Sequence, residues 1–93
     1  MADLADYRKK IDAIDEQIVR LIEDRMSVSK GIAEYKAELG VDVLDSGREA
    51  EKLDAVESLA HDDHNKKAVR GIFKQILTES KEYQYAIIES MKD

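Results

Sequence analysis

The sequence has no cysteine, no proline and no tryptophan, and its 93 residues include only four glycines. Without cysteine there is no disulfide framework, and no thiolate is present to bind a metal or to act as a nucleophile. Without proline, and with so little glycine, few positions interrupt a helix, so long helices are favoured. A chain of this length holds one domain, which we expect to span residues 1–93.

Long hydrophobic runs and an excess of positive charge are also missing. No apolar run is long enough to cross a membrane, and the N-terminal residues lack the basic and apolar regions of a secretory signal, so we expect a cytoplasmic location. The formal net charge of −6 disfavours general binding to nucleic acid or to an anionic membrane surface. Hydrophobic residues make up 43% of the chain, too many for a disordered acidic protein, so we expect a folded domain.

An apolar heptad pattern runs through the first 40 residues. One series recurs every seven residues and comprises Leu4, Ile11, Ile18, Arg25, Ile32 and Leu39. A second series fills the intermediate positions with Tyr7, Ile14, Leu21, Val28 and Tyr35. This is the a/d pattern of a helix with a continuous apolar seam, interrupted by one arginine. Gly40 follows the last apolar residue, where a left-handed cap is typical, so the pattern predicts helix 1 over residues 4–39.

The predicted length of helix 1 bears on the oligomeric state. A helix over residues 4–39 is about 54 Å long. A compact globule of 93 residues has a radius of gyration of about 12 Å and a diameter of about 32 Å. The apolar seam therefore extends past any compact monomer of this chain, and a second copy is the simplest source of cover. We expect an obligate dimer.

A second helix is predicted after a connector at residues 40–46. Ser46 and Glu49 have the spacing of a capping box, with Ser46 at the N-cap. Asp45 is a competing N-cap candidate. An apolar stripe then predicts helix 2 over residues 47–60.

A polar break at residues 61–65 precedes the third helix, which the apolar spacing predicts over residues 66–91. His61 and His64 in that break are more typical of a solvated loop than of a metal site, so we expect no metal. The chain is thus predicted to be all-α, with a long helix 1, a short helix 2 and a long helix 3.

Arg25 is the most informative residue of the heptad pattern, because an unpaired guanidinium in an apolar seam is costly. It either sets the register by pairing with an acidic residue across the dimer or belongs to an internal anion site. Lys36 lies eleven residues later, nearly on the same side of the helix and about 16 Å along its axis, so the two side chains can flank one small ligand. Arg8 lies about 25 Å from Arg25 along the axis and cannot reach that ligand from the same chain. The Arg8 of an antiparallel partner can.

Other polar residues lie in the apolar stripe of helix 3 and at the start of helix 2. Ser80 and Gln84 lie four residues apart in the apolar stripe of helix 3, hence on one face. Each alone is typical of an ordinary helix residue, whereas together they are typical of a polar pocket wall. Asp45 and Glu49 suit ordinary capping of helix 2, but Arg48 is mildly unfavourable there unless it binds a carboxylate. These cations and donors favour binding of a small polyanion, or catalysis by positioning and electrostatics.

Four short motifs, in order and at matching spacings, resemble the all-helical class of chorismate mutases. They are the arginine and apolar–Asp pattern of residues 7–15, Asp24-Arg25 with Lys36 eleven residues later, the Asp-x-x-Arg-Glu of residues 45–49 and the Ser-x-x-x-Gln of residues 80–84. The resemblance implies a three-helix subunit in an intertwined homodimer with two equivalent active sites. It also implies the pericyclic rearrangement of chorismate to prephenate, a step toward phenylalanine and tyrosine, without a cofactor.

The resemblance further implies a role for each matched residue. Arg25, Arg48 and the partner subunit's Arg8 are expected to bind the two carboxylates of chorismate through charge-assisted hydrogen bonds. Lys36 and Gln84 are expected to donate to the ether oxygen as its bond to carbon breaks, which stabilises the transition state more than the ground state. We count Lys36, Gln84 and Arg25 as the catalytic residues.

The resemblance also implies that Glu49 and the backbone near Asp45 contact the ring hydroxyl, and that Ser80 contacts a carboxylate.

Two alternative functions fit the same residues. An isochorismate pyruvate lyase shares the fold and much of the arginine and lysine set but is expected to lack an aspartate matching Asp45, so Asp45 favours the mutase. A non-catalytic helical dimerisation or regulatory module would leave Lys36 and Gln84 dispensable.

Overall fold

The structure, a computed structural model, describes residues 2–92 and places them in three α-helices. These are α1 (Leu4–Leu39), α2 (Ser46–Leu59) and α3 (Asp63–Ser90). The described residues contain no β-strand. The predicted all-α class and the long–short–long order of the helices are confirmed.

The bounds of α1 are those that the heptad pattern predicted. Asp3 and Asp6 form a reciprocal capping box at its start, with the Asp6 amide 3.0 Å from Asp3 Oδ1. Gly40 ends it with φ of 66°, in the left-handed region that favours glycine, and the Val41 amide donates back to the Lys36 carbonyl at 2.9 Å. This cap turns the connector back along α1.

The predicted N-cap of α2 is wrong by one residue. Asp45, not Ser46, caps the helix, since Asp45 Oδ1 accepts from the Arg48 amide at 3.0 Å. An ionised carboxylate at the N-terminus also complements the helix dipole, which a serine hydroxyl does less well. The helix accordingly begins at Ser46 and ends at Leu59 rather than spanning residues 47–60.

The predicted start of α3 at residue 66 is also wrong, because the helix begins three residues earlier and ends at Ser90. Asp62 is its N-cap, with Oδ1 2.7 Å from the Asn65 amide and Oδ2 2.9 Å from the Asn65 side-chain nitrogen. Polar residues fill the first turn, where unpaired amides need acceptors, so the apolar spacing becomes visible only from Val69 onward.

The central helix is α3, because α1 and α2 each pack against it. Few hydrophobic side chains become buried, and among the described residues they are Ala33, Val43 and Val56. Arg70 ties α2 to α3 by donating to Asp54 at 2.9 Å and to Glu57 at 2.7 Å. The hydrogen bond to Asp54 and, to a smaller extent, the one to Glu57 raise the pKa of Arg70 above its ordinary value.

The chain is elongated, measuring 60 × 27 × 13 Å with a radius of gyration of 16.8 Å. All residues of α1 from Leu4 to Asp24 are exposed. The ten apolar heptad residues are each 41–66% exposed, and they are Leu4, Tyr7, Ile11, Ile14, Ile18, Leu21, Val28, Ile32, Tyr35 and Leu39. No helix within residues 2–92 is long and apolar enough to span a bilayer. A single chain thus leaves its own seam uncovered, and the intertwined homodimer stays a prediction.

Candidate active site

A cavity of about 540 Å³ opens between the C-terminal half of α1, the start of α2 and the C-terminal half of α3. Seven of the eight predicted site residues line it, namely Arg25, Lys36, Asp45, Arg48, Glu49, Ser80 and Gln84. The eighth, Arg8, lies on the exposed N-terminal part of α1 and does not line the cavity. Residues from all three helices and the connector therefore converge on one place.

Positive charge dominates this cavity although the whole chain is acidic. Five cationic side chains line it, those of Arg25, Lys36, Arg48, Lys52 and Lys81, against the two carboxylates of Asp45 and Glu49. The lining thus has an excess of three positive charges in a chain whose formal net charge is −6. Within residues 2–92 neither arginine forms an ion pair. Two free guanidinium groups beside one cavity favour a dianionic ligand.

Lys36 is positioned by the turn at the end of α1. The left-handed Gly40 reverses the chain, and Val43 of the connector is only 6% exposed. The Val43 carbonyl accepts a hydrogen bond from Lys36 Nζ at 3.2 Å. An ammonium has three donor protons, so this bond fixes the side chain and leaves two protons for a ligand in the cavity.

The start of α2 contributes a capping carboxylate and a hydrogen-bond acceptor. The Asp45 carboxylate is used for the helix cap, and the residue lines the cavity. The Glu49 carboxylate forms an ion pair across to α3, with Lys81 Nζ 3.2 Å from Oε1 and 3.1 Å from Oε2. Both side chains of the pair are partly buried, at 25% and 31% exposure. Glu49 is therefore held on the cavity wall as an acceptor.

A buried chain of side-chain hydrogen bonds forms the wall on the α1–α3 side. Ser29 Oγ lies 2.8 Å from Ser80 Oγ, and Ser80 Oγ lies 3.2 Å from Gln84 Nε2. These three residues are 3%, 6% and 7% exposed and are the buried polar residues of the described chain. The second amide atom, Gln84 Oε1, is buried and has no hydrogen-bond partner within residues 2–92.

Three polar residues of the cavity were not predicted from the sequence. Ser29 and Lys52 each lie four residues after a predicted arginine on the same helix, so the i, i+4 spacing was a signal that placed them on the same face. Lys81 directly follows Ser80, and a helix face gives no reason for neighbours in sequence to share a cavity. Its approach to Glu49 depends on how α2 packs against α3.

The lining supplies positive charge and hydrogen-bond donors rather than a nucleophile with a base. No histidine lines the cavity, so neither serine has the partner that activates a hydroxyl for attack. No group of three potential metal ligands occurs in the part of the chain described. The arrangement can bind a small dianion, fix its conformation and stabilise negative charge that develops within it.

The sequence is similar to those of known chorismate mutases. The family model described as chorismate mutase type II matches residues 7–85. A chorismate mutase of Methanocaldococcus jannaschii is 36% identical over 92 residues, which cover 97% of this chain and 92% of that protein. A bifunctional chorismate mutase/prephenate dehydratase of Aquifex aeolicus is 35% identical over 75 residues, which cover 81% of this chain but only 19% of that protein.

Proposed function

The chain belongs to the chorismate mutase type II family and catalyses the isomerisation of chorismate to prephenate, and we propose that the positively charged cavity is where this reaction takes place. The observation that carries the proposal is the convergence of seven predicted residues on one cavity with three excess positive charges. Chorismate has two carboxylates, so its charge is complementary to this lining.

The first task of the site is to bind both carboxylates. Arg25 and Arg48 line the cavity from α1 and α2 and have no ion-pair partner within residues 2–92. Each guanidinium matches a carboxylate with two parallel hydrogen bonds, and the partner subunit's Arg8 completes the set. Ser80 assists at one carboxylate. Holding both ends folds the enolpyruvyl arm over the ring, the conformation in which the reacting carbons are close.

The second task is to stabilise the transition state. The ether carbon–oxygen bond breaks while a carbon–carbon bond forms in the same cyclic step, so no atom leaves and no covalent enzyme intermediate is needed. Negative charge grows on the ether oxygen during this step. Lys36 and Gln84 are the donors to it, and Arg25 adds positive charge nearby. The tether of Lys36 to the Val43 carbonyl keeps its ammonium in place before the reaction starts.

The ring hydroxyl of chorismate needs an acceptor and a donor. Glu49 accepts from it, and the backbone beside Asp45 completes the contact. The ion pair with Lys81 fixes the Glu49 carboxylate without using all its lone pairs, because two oxygens offer about four acceptor sites.

The complete site needs a second copy of the chain. Arg8 lies about 25 Å along α1 from Arg25, beyond the reach of one side chain. The ten exposed apolar heptad residues provide a continuous surface for pairing with the α1 of a partner. An antiparallel arrangement brings each Arg8 to the other chain's cavity, which makes an intertwined homodimer with two equivalent sites.

A chorismate assay on the purified chain tests this function. We expect loss of chorismate with stoichiometric formation of prephenate, without added metal or cofactor. Isochorismate, assayed in parallel, is expected not to release pyruvate. Pyruvate from isochorismate together with no prephenate from chorismate would contradict the proposal, as would chorismate consumption at the uncatalysed rate.

A further inference from the structure

A depression on the apolar seam of α1 adjoins the active-site cavity. Its volume is about 470 Å³, and it is lined by Val28, Gly31, Ile32, Tyr35, Lys36 and Val41. Val28, Ile32 and Lys36 also line the cavity, so the two spaces share a wall. The space is open because Gly31 has no side chain, and a Cβ added there would meet nothing within 4 Å. We call it the Gly31 depression.

The Gly31 depression has the form that receives a d residue of an antiparallel partner helix. With Leu4 at position a of the heptad abcdefg, such a side chain packs among the opposed a residue, the g residue before it and the two flanking d residues. At Ile32 these neighbours line the depression, and they are Gly31, Val28 and Tyr35. The g residues of the earlier heptads all carry side chains, and they are Lys10, Gln17 and Asp24. The seam therefore has the most room at Gly31.

Two registers of an antiparallel α1 pair place five a residues opposite five d residues. In one register the partner's Tyr7 lies opposite Ile32 and enters the Gly31 depression. In the other, shifted by one heptad, the partner's Ile14 takes that place. Tyrosine is the larger side chain, so it fills the space beside a glycine more completely. Tyr7 is 56% exposed in the single chain, so its ring is available for this contact.

Position and charge also favour the first register. It places the partner's Arg8 midway along α1 between Arg25 and Lys36. Arg8 directly follows a d residue, as Ser29 and Lys36 do, and in an antiparallel pair such residues lie on the same side of the seam. Ser29 and Lys36 line the cavity, so this is the cavity side. The shifted register puts the partner's Arg8 beside Lys36 and the partner's Asp24 beside Asp24, where like charges repel.

We propose that the Gly31 depression receives the partner's Tyr7, and that this contact fixes the register in which the partner's Arg8 reaches the active-site cavity. Tyr7 is then a positioning residue, which acts on the substrate through its neighbour Arg8. The inference rests on the proposed shared site and adds the register of the two helices. It also gives a reason for a glycine in the middle of a helix, where glycine is otherwise unfavourable.

A size-exchange experiment, measured by kcat/KM for chorismate, tests the contact. Gly31→Leu fills the depression, so it should displace the partner's Tyr7 and lower kcat/KM by about 10- to 100-fold. Adding Tyr7→Ala removes the displaced ring and should restore part of the loss, whereas adding Ile14→Ala should not. In an Arg8→Ala background Gly31→Leu should have little further effect, because no guanidinium is left to position. Lys30→Leu, on the exposed outer face of the same turn, is the matched control and should leave kcat/KM unchanged.

Disulfide formation gives a second measurement that does not depend on activity. The chain has no cysteine, so only introduced thiols can pair. Tyr7→Cys/Ile32→Cys should form a covalent dimer on mild oxidation, visible on a non-reducing gel, because the two positions lie opposite each other in the pair. Ile14→Cys/Ile32→Cys is the matched variant for the shifted register and should remain without a crosslink.

The outcomes separate this inference from the shared site itself. Rescue by Ile14→Ala, or a disulfide only in Ile14→Cys/Ile32→Cys, would overturn the register while the shared site stands. Wild-type kcat/KM in Gly31→Leu, or no disulfide in Tyr7→Cys/Ile32→Cys, would overturn the contact. Should Gly31→Leu fail to fold, the disulfide decides. Wild-type kcat/KM in Arg8→Ala would overturn both the inference and the shared site.

Discussion

The two halves of α1 share one heptad pattern but differ in burial and in their contribution to the cavity. From Leu4 to Asp24 every residue is exposed, and the half contributes nothing to the cavity. From Arg25 to Leu39 the helix has buried residues at Ser29 and Ala33 and supplies several residues of the cavity lining. One apolar seam, interrupted at Arg25, therefore serves two purposes. The second half builds the site within its own chain, and we propose that the first half completes the site of another.

The largest effect is expected in the second half. Lys36→Ala removes an ammonium that we assign to the ether oxygen, so kcat should fall by about 10²- to 10³-fold. Lys30→Ala, an exposed lysine on the same half of α1, is the matched control and should leave kcat unchanged. Steady-state kinetics with chorismate measures both. Equal kcat values for the two variants would contradict the catalytic role of Lys36, since Lys30 does not line the cavity.

A charge in the first half tests its role as an interface. Ile14 is 50% exposed in the single chain and lies in the middle of the Leu4–Asp24 half of α1. Ile14→Asp should shift the protein from dimer to monomer in analytical ultracentrifugation, because it places an unpaired charge in the apolar seam. Activity should fall with it, since the partner subunit's Arg8 is lost. Glu16→Asp, on the same exposed segment, is the control that should remain dimeric and active.

The smallest effect concerns the turn that ends the second half. Gly40→Ala forces an alanine to φ of 66°, which should lower the free energy of unfolding by about 1 kcal/mol. Gly71→Ala, in the interior of α3 where an added Cβ meets nothing within 4 Å, should instead raise it by up to about 1 kcal/mol. Urea denaturation gives both values. The same sign for both would show that backbone conformation does not govern the turn.

The sequence predicted α1 to the residue because an apolar period of seven and a terminal glycine are both local signals. The start of α2 was wrong by one residue because the prediction put Ser46 at the N-cap and kept Asp45 as the competing candidate. The start of α3 was missed because Asp62 caps through a carboxylate that the apolar pattern does not register. Seven cavity residues were predicted because their spacings resemble a known family. Lys81 and the bond between Ser29 and Ser80 depend on how α3 packs against the other two helices, and no local spacing contains that information.

If the two halves of α1 serve different active sites, mixing two inactive variants of the subunit should restore activity. Arg8→Ala and Arg25→Ala homodimers should each have little activity. After unfolding and refolding together in equal amounts, half of the dimers carry one variant of each kind, and each of these has one intact site. We expect recovery of about one quarter of the wild-type activity. Activity that stays at the level of the separate variants would contradict a site shared between two chains.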